Sequence, residues 1–174
     1  GIVSWNEPDT RKNNLKIDRD LFLKLENGSN ELRILSKAHV FKIHKFKAEG
    51  MTGFGININC AGTDENDNNI CPLCKMATEE NREDLECKDR YMMAVLSRKD
   101  GRIKILEFGP GVYKDIGGYN NHKHWGSPET YDLDIVVNKH GDPKSYYTVK
   151  ALPPVPSPLT EEELALKMSF DMDV

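Results

Sequence analysis

Apolar and polar residues alternate with a period of two along most of this chain, the signature of half-buried strands. "LFLKLENGSNELRILS" holds two such runs about Asn27-Gly28 and predicts a hairpin. "HVFKIHKFK" alternates again, and "GFGININC" predicts a short strand ending at Cys60. "YMMAVLSRKDGRIKILEF" predicts a hairpin turning at Asp100-Gly101, and "YDLDIVV" with "SYYTVKA" predicts another around "NKHGDP". Helical signals are few. Gly109-Pro110 opens "GVYKDIGG", which Gly117 and Gly118 are expected to stop. Thr160 and Glu163 form a capping box ahead of "EEELALKM". This rhythm predicts a mainly β fold: an OB-fold-like small barrel of five to six strands with a short helix and an inserted subdomain.

The expected organisation is an N-terminal arm over residues 1–14 and a barrel core over 15–152. A cysteine-rich insert occupies about 60–89, and a Pro-rich linker with an acidic tail occupies 153–174. Charge follows the same division. The net −4 of the 174-residue chain hides a net −6 over residues 61–89 and a net −4 over 160–174, leaving a body of net +6. A basic body with two acidic appendages is suited to a polyanion on one side. No apolar run approaches the roughly 18 residues a membrane span needs, and no secretory leader is legible. The four cysteines are therefore expected as reduced thiols in a cytosol, where clustered cysteines more often bind metal than pair.

Cys71-Pro72-Leu73-Cys74 has the spacing of a zinc knuckle, in which one turn aims two sulfurs at one ion. Cys60 supplies a third sulfur. The fourth donor is open between Cys87, which completes an all-cysteine set, and His44, upstream of Cys60. A thioredoxin-like redox pair also reads CxxC, but it wants a βαβ setting that this rhythm lacks. The acids of the insert are hard oxygen donors, poor company for thiolates, and are expected to be solvated. No coordination position is left open, so the expected cofactor is one structural Zn2+ whose binding folds the insert. The chain contains no H-x-E, GxSxG or Walker pattern, and Asp132 and Asp134 read as a solvent-facing alternation, so no enzyme is expected.

The series "LRILS", "HVFKIHKF", Cys60, CPLC and "RYMMAVLSRKDGRIKILEFGPGVYKDI" resembles the single-stranded DNA-binding proteins of tailed bacteriophages, the T-even gene 32 type in particular. "WGSPETYDLDIVVNKHGDPKSYYTV" is similar to their closing strands, so the resemblance spans roughly residues 20–155. It implies an OB-fold with an embedded zinc subdomain, and zinc ligands at His44, Cys60, Cys71 and Cys74, with Cys87 lacking a counterpart. It also implies sequence-independent binding of single-stranded DNA in phage replication, recombination or repair, in the cytoplasm of the infected bacterium. Such binding needs cations tracking phosphates and aromatic faces for bases. The cationic candidates are Lys42, Lys45, Lys47, Arg90, Arg98, Arg102 and Lys104. The stacking candidates are Phe54, Tyr91, Tyr113, Trp125 and Tyr146, with Phe41 a weaker one. Of Tyr146 and Tyr147, one is expected to face in and the other out. The acidic tail, ending "SFDMDV", implies docking of replication or recombination proteins. The competing reading is a zinc-ribbon/OB interaction module that scaffolds replication or transcription proteins or binds RNA.

Overall fold

The computed structural model describes residues 19–52, 55–153 and 157–172. The arm over 1–14, Phe54, residues 154–156 of the linker and the last two residues of the tail lie outside them. Among the described residues the fold is mainly β, a small open OB-like sheet of seven antiparallel strands with three short helices. The strands are β1 (Glu31–Ile34), β2 (His39–Phe46), β3 (Ile56–Asn59), β4 (Lys88–Ser97), β5 (Ile103–Phe108), β6 (Asp132–Val137) and β7 (Tyr147–Ala151). Their order is β3-β2-β4-β1-β6-β7, with β5 on the other edge of β4.

β4 organises the sheet because its ten residues serve three partners. Lys88–Met92 pair with β2, Val95–Ser97 with β1, and Tyr91–Leu96 with β5 on the opposite edge. The Asp100-Gly101 hairpin forms as expected, with Gly101 at φ 67°, the left-handed conformation such a turn needs. The β6–β7 hairpin also forms. The expected hairpin at Asn27-Gly28 does not. Phe22 bridges Ile105 of β5 instead, Leu23 N–H donates to the Ile105 carbonyl, and Gly28 N–H donates to the Val137 carbonyl of β6. Alternation marks which side of a stretch is buried but not which strand it joins, so the nearer partner lost to two distant ones.

One face of the sheet carries the main core, which includes Leu32, Ile34, Met93, Val95, Leu106, Phe108, Tyr131, Leu133 and Ile135. Helix α2 (Pro110–Asn120) caps this face with Val112 and Ile116, one turn apart. It runs through Gly117 and Gly118 rather than stopping there. Each helical glycine costs about 1 kcal/mol against alanine. Tyr119, packed against the core with its hydroxyl 3.4 Å from the Val149 carbonyl, anchors the turn beyond them.

The opposite face holds Leu35, Ala94 and Leu96, covered by Ile103, Leu159 and Phe170. Phe170 lies on helix α3 (Glu161–Met172), whose capping box forms as expected. Glu163 N–H donates to Thr160 Oγ1 at 3.2 Å, and Thr160 N–H donates to Glu163 Oε2 at 3.4 Å. Glu163 also accepts from Arg98 at 2.6 Å, and Arg98 donates to both carboxylate oxygens of Asp132. Buried Arg33 completes this network through Asp132 and Ser157. Asp132 is therefore half-buried and ion-paired, and Asp134 accepts from Ser29 and Asn30, so neither is a free solvent-facing acid.

The hydrogen bond from Arg98 holds the Glu163 carboxyl below its ordinary 4.5. A depressed carboxyl stabilises the folded form fully above its unfolded value, and loses that contribution as pH falls through the lower folded value. Acidification below about pH 4.5 is therefore expected to release α3 before the sheet melts. Limited proteolysis of the α3 segment across pH reads this directly, and Glu163→Gln should cleave readily at neutral pH. Equal resistance of both chains at every pH would show that the ion pair does not hold the helix.

Candidate metal centre

Two structural elements bring the thiols to His44. The first is the β2–β3 ladder. His44 pairs with Ile58, and Lys42 lies opposite Cys60, whose N–H donates to the Lys42 carbonyl. Residues 42 and 44 share one strand face, so Cys60 and the imidazole point to the same side of the sheet. The second is helix α1 (Pro72–Glu79), which the sequence reading did not anticipate. Cys71 is its N-cap, Pro72 occupies the first helical position, and Asn69 Oδ1 accepts the Cys71 N–H at 2.8 Å. Cys74 then falls one turn into the helix beside Cys71.

The four donor atoms of His44, Cys60, Cys71 and Cys74 all lie within 4.8 Å of one another. His44 Nε2 is 3.3 Å from Cys71 Sγ and 3.4 Å from Cys74 Sγ, and Cys60 Sγ is 3.6 Å from Cys74 Sγ. A tetrahedral centre with metal–sulfur bonds of about 2.3 Å and metal–nitrogen bonds of about 2.05 Å has edges of about 3.8 and 3.6 Å. The cluster fits such an ion with small adjustments. His44 is completely buried, and its Nδ1 donates to the Leu85 carbonyl at 2.6 Å. A carbonyl can only accept, so the proton is on Nδ1 and the Nε2 lone pair is free for a metal. Leu85 is itself fully buried in a 3-10 turn over Glu83–Leu85.

Ionisation in the cluster is divided among its members. Burial raises the Cys71 thiol, but the N–H groups of Cys74, Ala61 and Leu73 outweigh it and bring the pKa down to about 6. Burial and the neighbouring Cys60 and Cys71 push Cys74 up to about 12. Burial also opposes charge on Cys60, yet the Gly62 N–H and His44 hold it below its ordinary value. For His44, burial works against protonation, while the Leu85 carbonyl and the thiols of Cys60 and Cys71 hold its pKa above the ordinary value. Crowded thiolates repel one another, and a cation among them removes that conflict.

Cys87 stands outside the four-donor set. It is half-buried beside Cys60, with its pKa raised by burial and by that neighbour. The insert has little core of its own. Leu85 is buried, Leu73 and Met76 are half-buried, and Ile70 is exposed. Glu65, Asp67, Glu79, Glu80 and Glu86 are solvent-exposed, as expected for acids that take no part in a thiolate site. CPLC does open a helix, as in redox proteins, but among the described residues the seven strands pair antiparallel with no βαβ unit, and both thiols face His44.

The expected nucleic-acid residues divide into three groups. Lys42, Arg90, Tyr91 and Tyr113 lie around the start of β4. Tyr91 stacks on Phe108 at 5.7 Å and on Tyr113 at 4.1 Å, with interplanar angles of 18° and 6°. Arg90 packs its guanidinium against Gly109 and reaches Glu107 at 3.3 Å, and Lys42 pairs with Asp89 at 3.0 Å. Lys45 and Lys47 are exposed, but Lys45 lies on the opposite face of β2 from Lys42. Arg98, Arg102 and Lys104 form the second group, at the far end of the β4–β5 hairpin. Arg98 lies about 23 Å along the strand from Tyr91. It is committed to Asp132 and Glu163, and Lys104 lies 3.5 Å from Asp100.

Trp125 and Tyr146 make up the third. Trp125 is half-buried, edge-on to Tyr131 at 5.1 Å and Tyr119 at 5.9 Å. Tyr146 is half-buried and Tyr147 exposed, as the alternation implied. Val40, 60% exposed and paired with Tyr91, was not anticipated because isolated apolar residues in a strand read as core.

Fold and site together define a mainly β, OB-like domain with a candidate His/Cys3 metal centre. No protein-family profile matches this chain, and no curated protein matches it in sequence. No helix among the described residues is long and apolar enough to cross a membrane.

Proposed function

We propose that this protein binds single-stranded DNA without sequence selection and coats it during phage DNA replication, recombination or repair in the host cytoplasm. The observation that carries this reading is the aromatic ladder Phe108–Tyr91–Tyr113. It starts in the core at Phe108 and ends at Tyr113, which is 47% exposed. A ring stack that emerges at the surface offers the next face to a base, and every base has one. Lys42 and Arg90 lie in the β2–β4 ladder next to Tyr91, each paired with a neighbouring acid that a phosphate can replace. The exposed Lys45, on the opposite face of β2, and Lys47 add positive charge to that strand. The reading calls for no covalent step, so the protein acts as a binder rather than an enzyme.

The metal is assigned as one structural Zn2+, because three thiolates and an imidazole suit a borderline-soft tetrahedral ion and leave no position for substrate. Its role is to pin the insert beside the start of β4. A protein-docking reading is favoured by one observation. Leu164, Leu166 and Met168 of α3 are exposed beside Glu161 and Glu162, which suits recruitment of a replication partner through the C-terminal helix.

Titration of labelled oligo-dT across salt concentrations tests the lead reading. Each phosphate contact is expected to contribute about −0.7 to the slope of log K against log salt, with weaker binding to duplex. Salt-independent binding, or equal affinity for duplex and single strand, would rule it out.

A further inference from the structure

A cleft of about 380 Å³ opens beside Tyr113, between α2, the loop of Ser36, Lys37 and Ala38, and the turn of Ser127, Pro128 and Glu129. Its floor is apolar, formed by the buried side chains of Met93, Phe108 and Ile116, and Tyr113 makes one wall. Lys37 and Asn120, both exposed, stand on its rim. An apolar floor of this kind fits a planar ring better than a charged group.

We propose that this cleft receives one unstacked nucleobase from each stretch of bound strand, which makes it a base subsite and not a continuation of the phosphate track. The inference rests on the single-stranded DNA reading above. The base lies against Tyr113, whose ring is already held parallel to Tyr91 and so is positioned before binding. The Asn120 amide, which both donates and accepts, faces the hydrogen-bonding edge of the base, and Lys37 takes the adjoining phosphate.

Gly117 gives a clean test. It lines the cleft, and a Cβ there would meet nothing within 4 Å, so a larger side chain enters open space and not the core. Leucine is also the better helix former, so Gly117→Leu fills the cleft without weakening α2. The probe is oligo-dT carrying a single 2-aminopurine, bound to the full metal-loaded chain. The native protein is expected to quench the fluorophore by stacking. Gly117→Leu is expected to lose the quench and about tenfold in affinity, while the salt slope stays the same because phosphate contacts remain. Equal quench and equal affinity in the two proteins would overturn the cleft assignment and leave the DNA-binding reading standing. Failure of the native protein to bind the oligonucleotide would overturn that reading itself. Should Gly117→Leu fail to fold, Asn120→Trp closes the same mouth from the exposed rim, with the same expected and opposing results.

Discussion

Cys71→Ser is expected to abolish metal binding and to melt the segment between Asn59 and Lys88, while leaving the sheet folded. Cys71 is 2% exposed, is the thiol most readily ionised in the cluster, and sits at the N-cap of α1, so it couples the ion to the helix. Serine keeps the N-cap position but offers a hard, weakly acidic oxygen in place of a thiolate. The insert buries Leu85 and little else, so without the ion its remaining apolar contacts fall well short of its conformational entropy, roughly 1–2 kcal/mol per residue for the backbone. The binding free energy of a structural Zn2+ at such a site is of order 10 kcal/mol at neutral pH. Losing it is a larger effect than any single core truncation.

His44→Ala should behave alike, and Cys87→Ser should retain the metal. Metal quantification per chain, together with amide exchange, separates these cases. Exchange over residues 60–87 should accelerate in Cys71→Ser, with Leu133 and Ile135 still protected. Loss of metal in Cys87→Ser with retention in His44→Ala would restore the all-cysteine set.

Tyr113→Ala is expected to weaken single-stranded DNA binding by about 1–3 kcal/mol, the usual range for one stacking platform. Tyr113 is nearly half exposed, so its removal costs the fold little, whereas Tyr91 beneath it is packed on Phe108 and would confound the measurement. Trp125→Ala serves as the contrast. Its ring is edge-on to Tyr131 and Tyr119, so it should lower thermal stability and leave affinity for oligo-dT within about twofold once folded. If Trp125→Ala lost affinity and Tyr113→Ala did not, the ladder would not be the binding platform.

Much of the architecture is legible in the sequence. The β4–β5 and β6–β7 hairpins, the Thr160–Glu163 capping box, and the cysteines as a cluster followed from alternation, turn residues and short spacings. These features rest on interactions between residues close in the chain, so their signal is local. Helix α1 has only two turns, and its apolar side of Leu73, Met76 and Ala77 is half-buried and too short for periodicity to tell it from a loop. The partner of the Phe22 stretch, the passage of α2 through two glycines, and the withdrawal of Arg98 into the Asp132–Glu163 network are decisions of packing. Spacing alone left the fourth donor open, and resemblance only leaned toward His44. The antiparallel β2–β3 register sets His44 and Cys60 on one face, and α1 turns Cys71 and Cys74 toward them. Sequence supplied the donor types. Only the tertiary structure groups four of them into one candidate site, because that depends on where side chains from separate elements converge, and no period or spacing within one element encodes it.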